Sequence, residues 1–137
     1  VQARLKDGDG VVDSLLEMAQ GSTYYTSLMT DHDNNRRNDT YCTDTAIGTV
    51  GAINEALVFS NTGVIEILPA LPSDWTAGSI NGIMARTRAE VGELSWDMDA
   101  KTATVTIESN KDDNEIVLKC VQSWNSAVVD GRRLPAT

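Results

Sequence analysis

The stretch Val64-Ile-Glu-Ile-Leu-Pro-Ala-Leu-Pro-Ser-Asp-Trp75 narrows most sharply what this chain can fold into. Val64, Ile65, Ile67 and Leu68 form a largely β-branched, apolar run of strand length. Pro69 and Pro72 then bracket a corner, because a proline has no amide hydrogen to give a helix or a sheet ladder and holds φ near one value. A second extended run, Gly78-Ser-Ile-Asn-Gly-Ile-Met-Ala-Arg86, follows Trp75. The pattern is a buried strand, a rigid corner and another strand.

The chain changes period on either side of this corner. Val12, Leu15, Leu16 and Ala19 recur at helical spacing, with Asp9 placed to cap the amino end and Gly21 just past the carboxyl end, so a helix is expected over about residues 10 to 20. Val50, Ile53, Leu57 and, on the flank, Ala56 predict a second helix from about 48 to 60, closed by Asn61-Thr-Gly63. Between the two runs a polar loop, Thr30 to Thr40, exceeds the usual connection length. After the corner, Ala103, Val105 and Ile107 alternate with polar residues, as do Ile116, Leu118 and Cys120 with Glu115, Val117 and Lys119. Half-buried antiparallel strands are expected there. Asp97 to Lys101 and Asn110 to Asn114 supply polar turns, and Asp130-Gly131 is a hairpin signal.

Two helices do not close a helical domain, and their apolar stripes call for partner helices. The amino end, Val1 to Lys6, has neither an initiator Met nor the layout of a signal peptide. The chain therefore reads as a domain cut from a longer one. Localisation stays open, and an extracellular or periplasmic site would require an export signal upstream. The 137 residues are enough for one modest core, about two-thirds of the unfolded surface being buried at this size. With 20 acidic and 11 basic residues the net charge is -9, which argues against a nucleic-acid partner, since phosphate binding draws on Lys and Arg. No apolar run is long enough for a membrane helix.

Cys42 and Cys120 lie outside any C-x-x-C pair, a pattern that favours two thiols over a disulfide. Asp31, Asp33 and Asn35 have the alternate spacing of a calcium loop, yet Arg36 stands where the loop needs Gly and Cys42 where it needs the closing Glu. Asp7-Gly-Asp-Gly10 reads as a turn. No metal or cofactor is expected. Asn38-Asp-Thr40 is a glycosylation sequon, of weight only in a eukaryotic secretory pathway.

Several motifs together resemble family 95 glycoside hydrolases, best known as α-L-fucosidases. Leu68-Pro-Ala-Leu-Pro72 with Trp75 is similar to the family's L-L-P-A-L-P-x-x-W signature, and Ala85-Arg86, Glu90-Val91 and Trp96 to its following strand. Asp44, Gly48, Ile53, Glu55 and Leu57 match in order a D-G-N-F-G loop that opens a helix of the form I-A-E-M-L. Leu28 and His32 match its N-L-F-D-A-H run. The resemblance spans about residues 4 to 97. Thr45, Ala46 and Ile47 depart from it, standing where the family has Gly, Asn and Phe.

The resemblance implies an α+β fragment: residues 1–62 as the last helices and loop of an (α/α)6 barrel, and residues 63–137 as an antiparallel β-sandwich C-terminal domain. It further implies inverting hydrolysis of α-L-fucosyl, or related L-galactosyl, linkages in the complete enzyme. Its partners would be a glycan substrate and the rest of that enzyme. An inverting glycosidase needs a general acid and, roughly 6.5–9.5 Å away, a carboxylate base that activates water. Asp44 would be the base and His32 a sugar contact. The acid would come from the barrel upstream, so the isolated chain is expected to be inactive. Plainer readings stand beside these: Asp44 as the cap of the helix near Gly48, and His32 as an exposed bystander. Trp75 is expected to pack, while Trp96 and Trp124 suit either packing or stacking on sugar. The rival function is a non-catalytic β-module that packs against a barrel or binds glycan.

Overall fold

The computed structural model describes residues 1–21, 42–120, 126–129 and 132–135. His32, Trp124, the sequon, the rejected calcium-like run and Asp130-Gly131 lie outside the described residues. The element order is α1 (Gln2–Leu5), α2 (Gly8–Gly21), α3 (Thr43–Leu57), β1 (Val58–Asn61), β2 (Val64–Ile67), β3 (Ala77–Ala85), β4 (Ala89–Asp97), β5 (Thr102–Ser109), β6 (Val117–Cys120), β7 (Ser126–Val129) and β8 (Arg132–Pro135).

Both expected helices are present with different ends. The cap of α2 is Asp7, whose Oδ1 accepts the Gly10 amide at 2.9 Å. Asp9, expected in that role, lies inside the first turn and accepts the Ser73 amide at 2.8 Å instead. That bond holds the Asp9 carboxyl below its usual range. Helix α3 starts at Thr43 rather than 48 and stops at Leu57 rather than 60. Its end is set by tertiary contacts. The last carbonyls of a helix have no partner within it. Here the Val58 amide closes on the Asn54 carbonyl, the Leu68 amide donates to the Leu57 carbonyl at 2.7 Å, and the Ala70 amide to the Ala56 carbonyl at 3.0 Å. The proline-bracketed corner is thus the cap of α3, and residues 58–61 are released to pair as β1.

Strands β1 and β2 form an antiparallel hairpin with Val58 opposite Ile67 and Asn61 opposite Val64. Gly63, at φ 78, makes the tight turn. Strands β3, β4 and β5 form an antiparallel meander with a bulge between Val91 and Glu93. The inward half of β4 is fully buried at Val91 and Leu94 and nearly so at Trp96, while Ala103, Val105 and Ile107 pack against the same core as expected. The strand expectation at 115–120 is corrected as well. Residues 117–120 do not extend the antiparallel meander; β6 returns to run parallel to β2, Val64 beside Val117 and Ile67 beside Cys120. Asn110 to Asn114 therefore belong to a crossover rather than a hairpin turn. An edge strand has one side open, and Leu118 and Cys120, expected to face inward, are exposed. Among the described residues, β7 and β8 pair only with each other, Val129 opposite Arg132, as the Asp130-Gly131 signal predicts.

The two three-stranded sheets share one core. Ile65, Ile67 and Leu68 meet Ala85, Ala89, Val91, Leu94 and Trp96, and Leu57 and Val58 join from the end of α3. Burying each large aliphatic side chain here is worth about 1.5–3 kcal/mol. Trp75 packs against this core, and its carbonyl accepts the Trp96 indole N–H at 2.8 Å. A smaller cluster of Ala3, Val11, Ala56 and Ala70 fastens the helices to the corner. These side chains are small because the backbones come close: a Cβ on Gly8 would stand 2.4 Å from the Leu71 carbonyl oxygen.

Gly8→Ala is expected to lower stability in urea by about 1–3 kcal/mol, since backbone has to move to admit the methyl. Gly51→Ala, in the interior of α3 with nothing within 4 Å of the added Cβ, is expected to raise it by about 0.5–1 kcal/mol. Equal midpoints for the two variants would disprove the close fit of α2 on the corner.

Candidate functional site

Two regions of α3 carry the side chains of interest. At its amino end Cys42 takes the cap position in extended geometry, and its Sγ lies 3.1 Å from Thr45 Oγ1. That contact holds the thiol below its ordinary range. Thr49 Oγ1 donates to the Thr45 carbonyl at 2.7 Å. Asp44 sits between these residues in the first turn, exposed, where the positive end of the helix favours a negative side chain. It is not the cap. Thr45 and Ala46 are half-buried and Ile47 is open to solvent. Cys42 and Cys120 are thiols, with no disulfide between them.

At the carboxyl end of α3 lies a charged cluster that no local sequence pattern announces. Arg4 grips Glu55 with both arms, Nε to Oε2 at 2.8 Å and Nη2 to Oε1 at 2.7 Å. Arg86 Nη2 stands 3.7 Å from the same Oε1 while its Nη1 donates to the Ser60 carbonyl at 3.1 Å. Both guanidinium groups lie over the Phe59 ring, 6.0 and 5.9 Å from its centre. Nearby, Lys6 Nζ lies 2.9 Å from Glu66 Oε2, a charge contact without hydrogen-bond alignment. The partners of Glu55 come from positions 4 and 86, so only the fold unites them. Its role is attachment: one carboxylate ties α1, α3 and the end of β3 together.

An open groove of about 190 Å³ lies where β4 meets β5, lined by Ser95, Trp96, Asp97, Thr102, Ala103 and Thr104. It offers hydroxyls and a carboxylate, but Asp97 Oδ1 already accepts the Ala100 amide. Trp96 is 7% exposed and its N–H is taken by the Trp75 carbonyl, so its ring is packed into the core rather than presented as an open stacking face. Among the described residues, no three His, Cys, Asp or Glu side chains gather to hold a metal ion, and no helix is long and apolar enough to cross a membrane.

Residues 59–134 match the family model for the glycoside hydrolase family 95 C-terminal domain, and with more than half of the chain matched, this chain belongs to glycoside hydrolase family 95. No curated protein gives a match. The matched span starts at Phe59 and takes in the corner, both sheets and the hairpin, whereas Asp44 and α3 precede it.

The Glu55 cluster gives folding a pH dependence. Its hydrogen bond to Arg4 outweighs burial and holds the Glu55 carboxyl below the usual glutamate range. A depressed folded value means that the contribution is fully present above the unfolded value, about 4.3, and is lost as pH falls through the folded value. Asp9 acts in the same direction. The urea midpoint is expected to fall as pH drops below about 4. Glu55→Gln should lower the midpoint at neutral pH and flatten that fall; an unchanged slope would show that Glu55 is not a source of it.

Proposed function

We propose that this chain is the carboxyl-terminal part of a glycosidase that hydrolyses α-L-fucosyl, or related L-galactosyl, linkages with inversion. In this reading residues 1–62 are the last helices and loop of an (α/α)6 catalytic barrel, and residues 63–137 form the β-domain that closes against it. The observation that carries the reading is the family 95 match over residues 59–134. The helices support it too. Leu16 is 53% exposed, Ile47 73% and Val50 58%, an apolar surface that further barrel helices would cover.

Asp44 is the proposed general base. It stands at a helix start, in solvent and unengaged by any hydrogen bond or ion pair among the described residues, so that a water molecule can be held on its free carboxylate. The base removes a proton from that water as its oxygen attacks the anomeric carbon. A carboxylic acid from the barrel protonates the leaving oxygen on the opposite face of the sugar. His32 would contact the sugar from the loop before α3. The substrate is a glycan, and no step calls for a metal or a cofactor.

A second reading, a β-module without catalysis of its own, is favoured by one observation: the matched span lies on the β-domain and not on the helix that bears Asp44.

Turnover of an aryl α-L-fucoside and of 2'-fucosyllactose by the enzyme that contains this sequence decides between them. Asp44→Asn is expected to lower kcat by about 10²–10⁴-fold with the urea midpoint nearly unchanged, since an exposed first-turn side chain carries little of the packing. Unaltered turnover in that variant would remove Asp44 from the mechanism.

A further inference from the structure

Asn81-Gly82 is the one Asn-Gly pair in the 137 residues. Such a pair ordinarily makes the two central residues of a hairpin turn. Here it lies in the middle of β3. Asn81 pairs with Glu93 and Ile83 with Val91, but the pairing passes over Gly82 and the facing Gly92, where β4 also bulges against β5. Gly82 has φ 71, outside the strand region, and both Asn81 and Gly82 are exposed. A Cβ on Gly82 would have only the tip of the Glu90 side chain near it, at 4.0 Å. Strand pairing protects an asparagine by holding the next amide in the ladder and the side chain away from it. At this point the ladder is interrupted, the following residue has no side chain to obstruct approach, and solvent reaches the peptide.

We propose that Asn81 is a site of spontaneous deamidation in the folded protein. Hydroxide removes the Gly82 amide proton, and the nitrogen attacks the Asn81 side-chain carbonyl carbon. The bond from that carbon to the side-chain NH2 breaks, ammonia leaves and a five-membered succinimide remains. Water then opens the ring at either carbonyl to give aspartate or isoaspartate, so that the sum is one water consumed and one ammonia released. The product puts a carboxylate opposite Glu93 across the strand pair, and like charges in facing positions weaken a sheet. It also makes the chain one unit more negative than its present -9. The isoaspartate branch adds a methylene to the backbone between Ile80 and Ile83, both packed on the shared core. The modification therefore marks aged molecules at the strand pairing on which the β3–β4–β5 sheet depends.

The full chain is held folded at mildly alkaline pH and sampled over days by peptide mass mapping, with an isoaspartyl methyltransferase assay in parallel. The expected result is the mass gain of an NH2-to-OH exchange confined to the Asn81 peptide, methyl acceptance there, an acidic shift on isoelectric focusing, and loss of all three in Asn81→Gln, whose longer side chain closes a ring poorly. Asn81→Asp, made directly, should show the acidic shift at once and a lower urea midpoint. A folded chain that stays unmodified while the urea-unfolded chain converts at Asn81 would overturn the proposal, because the sheet would then be protecting the site. So would conversion confined to other asparagines.

Discussion

The fold turns on how the last carbonyls of α3 are satisfied. A helix that ends in a protein interior leaves acceptors that water cannot reach, and each unpaired one costs about 1–3 kcal/mol. The Leu57 and Ala56 carbonyls are met by the amides of Leu68 and Ala70, which the two prolines hold in an irregular, donor-presenting path. Leu68 adopts a left-handed φ of 51 to do so, with its side chain fully buried. A leucine in that region is disfavoured, and it persists because the core and the helix end together determine it.

Most of the remaining architecture is arranged around that capture. Releasing residues 58–61 from the helix lets β1 pair with β2, and the β2 strand then feeds directly into the corner. Helix α2 is pressed on the corner through Gly8 and held by the bond from Ser73 to Asp9. Trp96 reaches over Gly78, where a Cβ would be 2.6 Å from its ring, to bind the carbonyl of Trp75 at the corner's far end. The Arg4–Glu55–Arg86 cluster adds a polar tie between the same helix and the β-domain at the protein surface. The corner is thus a joint between helices and sheets, and the proposed chemistry lies at the other end of α3, fifteen residues long, with Asp44 at its start.

The legible parts of the sequence were those where one local signal suffices. Prolines at 69 and 72 betray a corner in any context, the alternation from Ala103 to Ile107 betrays a strand with one wet face, and Asp130-Gly131 betrays the hairpin of β7 and β8. What could not be read had a distant cause. Periodicity carries α3 on to residue 60, because nothing in Val58, Phe59 and Ser60 says that an amide ten residues later will close the helix. The alternation at 115–120 suits a parallel edge strand as well as an antiparallel inner one, and only its pairing with β2 tells them apart. Asp9 looked like a cap by position, yet Asp7 lay nearer the true helix start and Asp9 was free to reach Ser73. Asp44 is proposed as a site residue from a family motif, whereas the union of Arg4, Glu55, Arg86 and Phe59 has no signature along the chain.

By itself, the sequence determined the inventory: helices in roughly the first sixty residues, strands from residue 64 onward, a rigid corner after the first of those strands, an excess of acidic residues, and membership of a glycoside hydrolase family, all of which depend on residue type and near-neighbour spacing. Only the tertiary structure decided where α3 ends, which strand lies beside β2, whether Trp96 faces solvent or core, and which charges meet at Glu55. Those depend on groups tens of residues apart competing for the same carbonyl, the same apolar surface or the same carboxylate, and that competition is settled in space rather than along the chain.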